Sequence, residues 1–103
     1  MALTRDRAVK IMKSKQLSDF QIKVLLAVMR IPKGEVLTYK ELAKMVGSPR
    51  AYRAVGTAVR KNPLAPTIPC HRVIRSDGTL GNYSAPGGTK KKRAMLKAEG
   101  AIN

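Results

Sequence analysis

Apolar residues recur at helical spacing in several stretches of this chain, and turn formers separate those stretches. Residues 3–16 are basic, with Ala8, Ile11 and Met12 on one stripe, consistent with either a short helix or a loose arm. Ser18-Asp19-Phe20-Gln21 then reads as a capping box. Phe20, Val24, Leu25, Val28 and Met29 follow at helical spacing, and Pro32-Lys33-Gly34 closes the segment, which predicts a core helix. Thr38-Tyr39-Lys40-Glu41 is a second capping box, opening a helix through Leu42 and Met45 to a terminating Gly47. Ser48-Pro49 is expected to cap and start another helix at once, with proline at its first position. That helix runs past Val55 and Val59 to Asn62-Pro63. Two short helices joined by a tight Gly-Ser turn suggest a helix-turn-helix, although helical hairpins in bundles share the pattern.

Beyond Asn62 the pattern changes. Prolines 63, 66 and 69 interrupt the chain, so an ordered loop is expected there. Residues 71–75 and 79–83 flank Ser76-Asp77-Gly78, a turn signal that predicts a short β-hairpin. Ala85-Pro86-Gly87-Gly88 reads as a hinge-like loop. Thr89 would cap a last helix with Ala94, Met95 and Ala98 on its apolar face and Gly100 just past its end. Lys90, Lys91, Lys92 and Arg93 lie at the start of that helix, where they oppose its dipole. A solvated basic turn or a phosphate contact would account for them.

Length and charge narrow the reading. With 103 residues the chain makes one domain, organised as a basic helix or arm over residues 1–17 and a folded unit over 18–103. That is too short for a full dinucleotide-binding fold. Twenty-one Lys and Arg against six Asp and Glu leave a net charge of +15, an excess that points to a polyanion such as nucleic acid. An anionic membrane is the other candidate, but no apolar run reaches the ~18 residues of a span, and the first residues lack a signal-peptide core. One cysteine and one histidine supply neither an intrachain disulfide nor a four-ligand zinc site, so no metal is expected. The composition fits an intracellular, soluble protein. The second helix of the pair carries Arg50, Arg53, Arg60 and Lys61, as a helix near phosphates would.

The single cysteine and histidine are adjacent, in Pro69-Cys70-His71-Arg72-Val73. Neighbours on an extended strand point to opposite sides, so spacing alone does not give a direct Cys–His bond, and a bent backbone would let water bridge them. A thiol becomes a good nucleophile as thiolate, which needs a base or positive surroundings, and both are at hand. Without further context a lone cysteine reads as a small buried hydrophobe.

Further context comes from the order of the motifs. The run from Thr38 to Gly47, Arg53-Ala54-Val55-Gly56, Asn62-Pro63, the stretch Ile68-Pro69-Cys70-His71-Arg72-Val73, Gly81-Asn82-Tyr83 and Glu99-Gly100 follow in sequence. Over residues 18–101 this closely resembles the C-terminal, active-site domain of the O6-alkylguanine-DNA alkyltransferases. The resemblance implies a mainly α, winged-helix-like helix-turn-helix DNA-binding domain with a small β-hairpin. It also implies suicide repair: a cysteine takes the alkyl group from O6 of guanine and keeps it, once per molecule, with no cofactor. Cys70 matches the acceptor. Glu99 and His71 match the relay that reaches the cysteine through a water, with the carboxylate orienting the imidazole. Asn62 matches the residue bracing the active-site turn, and Tyr39 the one that hydrogen-bonds N3 of the base.

For DNA, the resemblance implies extrusion of the damaged nucleotide, since a stacked guanine cannot be approached in line. Arg53 matches the arginine inserted into the vacated stack. Ala51, Ala54 and Gly56 are small enough to let the helix lie close in the minor groove, beside Tyr39 and Arg60. Tyr83 and Ser84 match the lip of the guanine pocket, and the carbonyls of Val73 and Cys70 would meet the exocyclic amine. The implied partner is double-stranded DNA containing O6-alkylguanine, bound by a monomer in the cytoplasm of a prokaryote or in a nucleus.

Two departures accompany the match. Most members carry a second, N-terminal domain, whereas fewer than twenty residues precede the first matched helix here. The loop Ser84-Ala85-Pro86-Gly87-Gly88 is longer than usual, which touches the pocket rim and its tolerance for bulky groups. Two rival functions follow from the same pattern. Alkyltransferase-like proteins bind alkylated guanine without transfer and typically replace the cysteine, often by tryptophan. A helix-turn-helix regulator reading the major groove would not need Cys70, His71 and Glu99 together.

Overall fold

A computed structural model describes residues 3–65, 67–77, 79–80 and 88–102. Five helices and a two-stranded sheet follow in the order α1 (Arg5–Ser14), α2 (Asp19–Val28), β1 (Leu37–Thr38), α3 (Tyr39–Met45), α4 (Tyr52–Arg60), a 3-10 turn (Cys70–Arg72), β2 (Val73–Ile74) and α5 (Gly88–Ala98). The mainly helical reading holds, and α3 and α4 form the close helical pair.

Local signals explain most of the helix starts. Ser18 and Thr38 each cap a helix in a complete capping box: the hydroxyl accepts from the N–H three residues on, and Gln21 or Glu41 accepts from the cap N–H in return. Between the two alternatives for residues 3–16 the structure has the helix, capped by Thr4, with Ala8 and Met12 fully buried. They join Ile22, Val24, Leu25 and Val28 of α2, Leu42 and Ala43 of α3, and Val55, Ala58 and Val59 of α4 in one core. Complete burial of an aliphatic side chain of this size is worth about 1.5–3 kcal/mol. Phe20 and Met29, placed on the core stripe by spacing, are half-buried at its edge.

Three expectations are corrected. The helix expected to begin at Ser48-Pro49 begins at Tyr52, with Ala51 as a cap that makes no side-chain bond. Ser48 is engaged in the turn instead: its N–H donates to the Ala43 carbonyl and its own carbonyl accepts from Ala51 N–H, each at 2.9 Å. The described sheet is parallel, pairing Leu37 with Val73 and Thr38 with Ile74, a pairing the sequence pattern does not announce. Arg75 N–H does bond the Thr79 carbonyl across the expected turn at 2.9 Å, but most of the second arm falls in residues 81–87, outside the described residues. Cys70 and His71 lie in a 3-10 turn and not on a strand. On α5 the buried residues are Lys92 and Leu96, while Ala94 and Ala98 are exposed and Met95 is half-buried.

The parallel pairing matters for the site. It fixes the residue after the Cys70 turn against the residues just before α3, so Val73 and Tyr39 are held on neighbouring elements. Helices α5 and α2 both pack on the same turn.

Candidate active site and nucleic-acid interface

Asn62 holds the loop that delivers Cys70. Its Nδ2 donates to the Ile68 carbonyl at 2.8 Å, and its Oδ1 accepts from Leu64 N–H at 2.9 Å. One side chain thereby ties both ends of a proline-interrupted loop that has few backbone bonds of its own. Cys70 N–H donates to the same Ile68 carbonyl at 2.8 Å, and Arg72 N–H to Pro69 at 2.9 Å, which winds residues 70–72 into the 3-10 turn. Three residues per turn put the Cys70 and His71 side chains about a third of a turn apart.

Cys70 and His71 are buried, at 3% and 2% exposure. Burial pushes the Cys70 thiol up, while the Asn62 amide and the Lys92 ammonium favour its anion. No direct hydrogen bond joins thiol and ring among the described residues. His71 Nε2 lies 2.9 Å from Glu99 Oε2. An ionised carboxylate only accepts, so Nε2 carries the proton and donates it to Glu99. In neutral imidazole the lone pair is then on Nδ1, which is buried without a hydrogen-bond partner among the described residues. That tautomer leaves Nδ1 as the ring atom able to accept a proton.

Glu99 accepts from two side chains. Arg72 grips it with Nε on Oε1 at 2.9 Å and Nη2 on Oε2 at 2.7 Å, and sends Nη1 to the Ile31 carbonyl at 2.8 Å. Gly34, at φ +91°, lets the turn after α2 close against this corner: a Cβ there would sit 3.4 Å from the Glu99 carbonyl oxygen in a backbone conformation that side chains disfavour. The Arg72 hydrogen bonds, with His71 adding to them, hold the Glu99 carboxyl down to about 2 against an ordinary 4.5. A depressed folded pKa contributes stability above the unfolded value that is lost as pH falls toward the folded one. The difference in melting temperature between wild type and Glu99→Gln is therefore expected to be constant above about pH 5 and to shrink from there to about pH 2. A difference that stays constant down to pH 2 would show that the pairing contributes no linked stability.

Tyr39 opens α3 and is half-buried. Burial raises its phenol pKa above the usual value despite the lowering effect of Arg60 and Arg75, so it remains a hydrogen-bond donor at neutral pH. It is also close enough to Cys70 for the two ionisations to oppose each other. Tyr39 lines a cavity of about 350 Å³ with Tyr52, Arg53, Gly56, Thr57, Arg60 and Arg75. A Cβ on Gly56 would meet nothing closer than the Tyr39 ring at 3.9 Å, an ordinary contact. Mid-helix glycine costs about 0.5–1 kcal/mol relative to alanine, and the protein's own packing gives no reason for it. Ala54, Arg53 and Arg60 are exposed on this helix and Ala51 is half-buried at its start. Val73 is fully buried, and its carbonyl accepts from Lys92 Nζ at 2.6 Å. Tyr83 and Ser84 lie outside the described residues.

Residues 19–101 match the family described as 6-O-methylguanine DNA methyltransferase, DNA binding domain. The chain belongs to this family. A methylated-DNA–protein-cysteine methyltransferase of Methanosarcina barkeri is 54% identical over 82 residues, covering 80% of this chain and 51% of the relative. Mycobacterium tuberculosis OGT in complex with DNA superposes with a TM-score of 0.78 at 46% identity, over 82% of this chain and 52% of that one. Schizosaccharomyces pombe Atl1, in complex with damaged DNA containing O6-carboxymethylguanine, superposes with a TM-score of 0.71 at 38% identity, over 82% of this chain and 78% of that one. The chain thus spans about half the length of the curated methyltransferases it matches.

Within this family domain the structure gathers Cys70, His71, Glu99 and Asn62 around one turn, and Tyr39, Arg53, Gly56 and Arg60 around the cavity beside it. Two cations that sequence reasoning passed over belong to the first group, Arg72 half-buried and Lys92 fully buried. Arg72 sits inside the Pro-Cys-His-Arg-Val pentad, and its place there was the available signal. Lys92 stands in a run of four basic residues, and nothing in that run distinguishes it from its solvated neighbours.

Proposed function

We propose that this chain repairs alkylated DNA directly, moving the alkyl group from O6 of guanine to Cys70. The observation that carries the reading is the thiol in its Asn62-braced turn beside a histidine whose Nε2–H is committed to Glu99. His71 Nδ1 takes the Cys70 proton, directly or through one solvent molecule. The thiolate then attacks the alkyl carbon: an S–C bond forms, the C–O6 bond breaks, and the electron pair moves into the guanine ring. Tyr39, kept protonated by burial, hydrogen-bonds N3 and stabilises that charge. The proton held on His71 returns through solvent to N1, which leaves guanine neutral and the protein as a thioether. A thioether is a poor leaving group, so the reaction ends after one turnover. The thiolate is itself the acceptor, and the reaction as written uses no cofactor.

The matched residues form the active-site half of the family's proteins in this reading, acting as a monomer on duplex DNA. Exposed Arg53 and Arg60, and a glycine that internal packing does not demand, support close approach of α4 to the double helix. Contacts to backbone and minor groove carry little base information, so undamaged DNA is bound with little sequence preference.

Incubation with a duplex containing O6-methylguanine, followed by intact mass and peptide mapping, tests the proposal. One methyl per chain, located on Cys70, is the expected result. An unchanged mass under excess substrate would overturn it in favour of lesion binding without transfer. That second reading draws on the likeness to Atl1 over 78% of its length. The presence of Cys70 argues for transfer.

A further inference from the structure

Lys92 is the least economical residue in this fold. Its side chain is completely buried on α5, and it forms no ion pair with a carboxylate among the described residues. The ammonium donates to the Val73 carbonyl at 2.6 Å and to the Leu80 carbonyl. Two carbonyls can be tethered by a neutral amide without burying a charge, and a buried unpaired charge is costly. Nζ is anchored on the carbonyl of Val73, three residues past Cys70, and the Cys70 turn packs against α5. The acid placed to form an anion near this ammonium is therefore Cys70.

We propose that Lys92 is the counter-cation of the Cys70 thiolate, a positioning residue that holds negative charge on sulfur in a buried site. This rests on the reading of Cys70 as a thiolate nucleophile. When the S–H bond breaks, the proton goes to His71 and the charge left on Sγ faces a fixed ammonium instead of water. The other groups around the pair divide by sign. Asn62 also favours the thiolate, whereas Tyr39, which Arg60 and Arg75 in turn stabilise as an anion, opposes it when ionised. Arg75 pushes Lys92 toward losing its proton, and the thiolate pulls the other way. Burial leaves the Lys92 pKa at about 8, so most of the ammonium is present at neutral pH and disappears above it. The same Nζ grips the Val73 carbonyl, so the cation is anchored on the strand that follows the Cys70 turn.

The test reads thiolate formation without DNA. Iodoacetamide alkylates Cys70 only as thiolate, forming S–C and releasing iodide, so the pH dependence of its rate follows sulfur ionisation independently of repair. Lys92→Gln keeps an N–H donor for the carbonyls and removes the charge. Its alkylation midpoint is expected to move to higher pH, with the rate at pH 7 falling about three- to tenfold. Lys92→Arg is expected to recover part of the loss. A Lys92→Gln profile that superposes on wild type, in protein that melts cooperatively, would overturn the proposal. A reciprocal measurement needs no change at Lys92. Titrated by NMR of the lysine ε-carbon, Lys92 is expected to lose its proton at lower pH in Cys70→Ser than in wild type, because the anion that holds it is gone. An unchanged titration would also overturn the pairing. If O6-methylguanine repair fails while both shifts appear, the charge pair stands and the repair reading does not.

Discussion

Replacing Glu99 by Gln is expected to slow alkyl transfer to Cys70 by about a hundredfold or more, within the range that a positioned general base supplies. The substituted amide has the size of the carboxylate but only one acceptor atom. Arg72 and His71 both donate to Glu99 in the wild type, at 2.7–2.9 Å. With an amide there, Arg72 takes the oxygen and the NH2 group faces His71. The ring then accepts at Nε2, and its proton moves to Nδ1, the atom that has to receive the thiol proton. The variant keeps its base in the wrong tautomer. DNA affinity should change by less than about twofold, because phosphate contacts from exposed cations do not involve this buried corner. Single-turnover rates on an O6-methylguanine duplex, with binding measured in parallel, separate the two effects. Raising the pH should restore part of the variant's rate, since direct thiol ionisation bypasses His71. If affinity falls and the rate does not, Glu99 is structural.

The parts of this protein that can be read from its sequence are those decided within one helical turn. Ser18-Gln21 and Thr38-Glu41 close their capping boxes between residues three apart, and both helices begin where that chemistry places them. Ser48-Pro49 carries a similar signal and starts no helix: Ser48 sits in the turn that ends the preceding helix, bonded to Ala43 and Ala51. The strand pair was not legible: Leu37 and Val73 meet from distant parts of the chain, and two residues per strand leave no alternation to detect. The anchoring of two cations is equally hidden in the sequence. Arg72 is held by Ile31 and Glu99, and Lys92 by Val73 and Leu80, partners between 12 and 41 positions away. The candidate site divides along the same line. The Pro-Cys-His-Arg-Val motif marked Cys70 and His71 by resemblance, but their 3-10 geometry depends on Asn62 reaching over to Ile68.

Arg53→Ala is expected to slow repair of O6-methylguanine in duplex DNA by at least about tenfold, equivalent to roughly 1.4 kcal/mol in the barrier. Arg53 is exposed on α4 and lines the Tyr39 cavity, and its guanidinium makes no hydrogen bond or ion pair among the described residues. Truncation therefore removes nothing the fold relies on, and the melting temperature should barely move. In the proposed reading, what it removes belongs to the complex with DNA. Extruding a paired nucleotide costs a few kcal/mol, and a planar guanidinium in the vacated stack offsets part of that with hydrogen bonds and stacking. This contribution exists only while the nucleotide is out, so it lowers the barrier to access without touching Cys70, His71 or Glu99. A free O6-benzylguanine base needs no extrusion, and its reaction with Arg53→Ala should match wild type. Arg53→Lys should regain only part of the duplex rate, because an ammonium on a flexible stem cannot lie flat against a base. Equal slowing on duplex and free base would assign Arg53 to shaping the cavity it lines. Unchanged rates on both would make it one more solvated charge on a very basic surface.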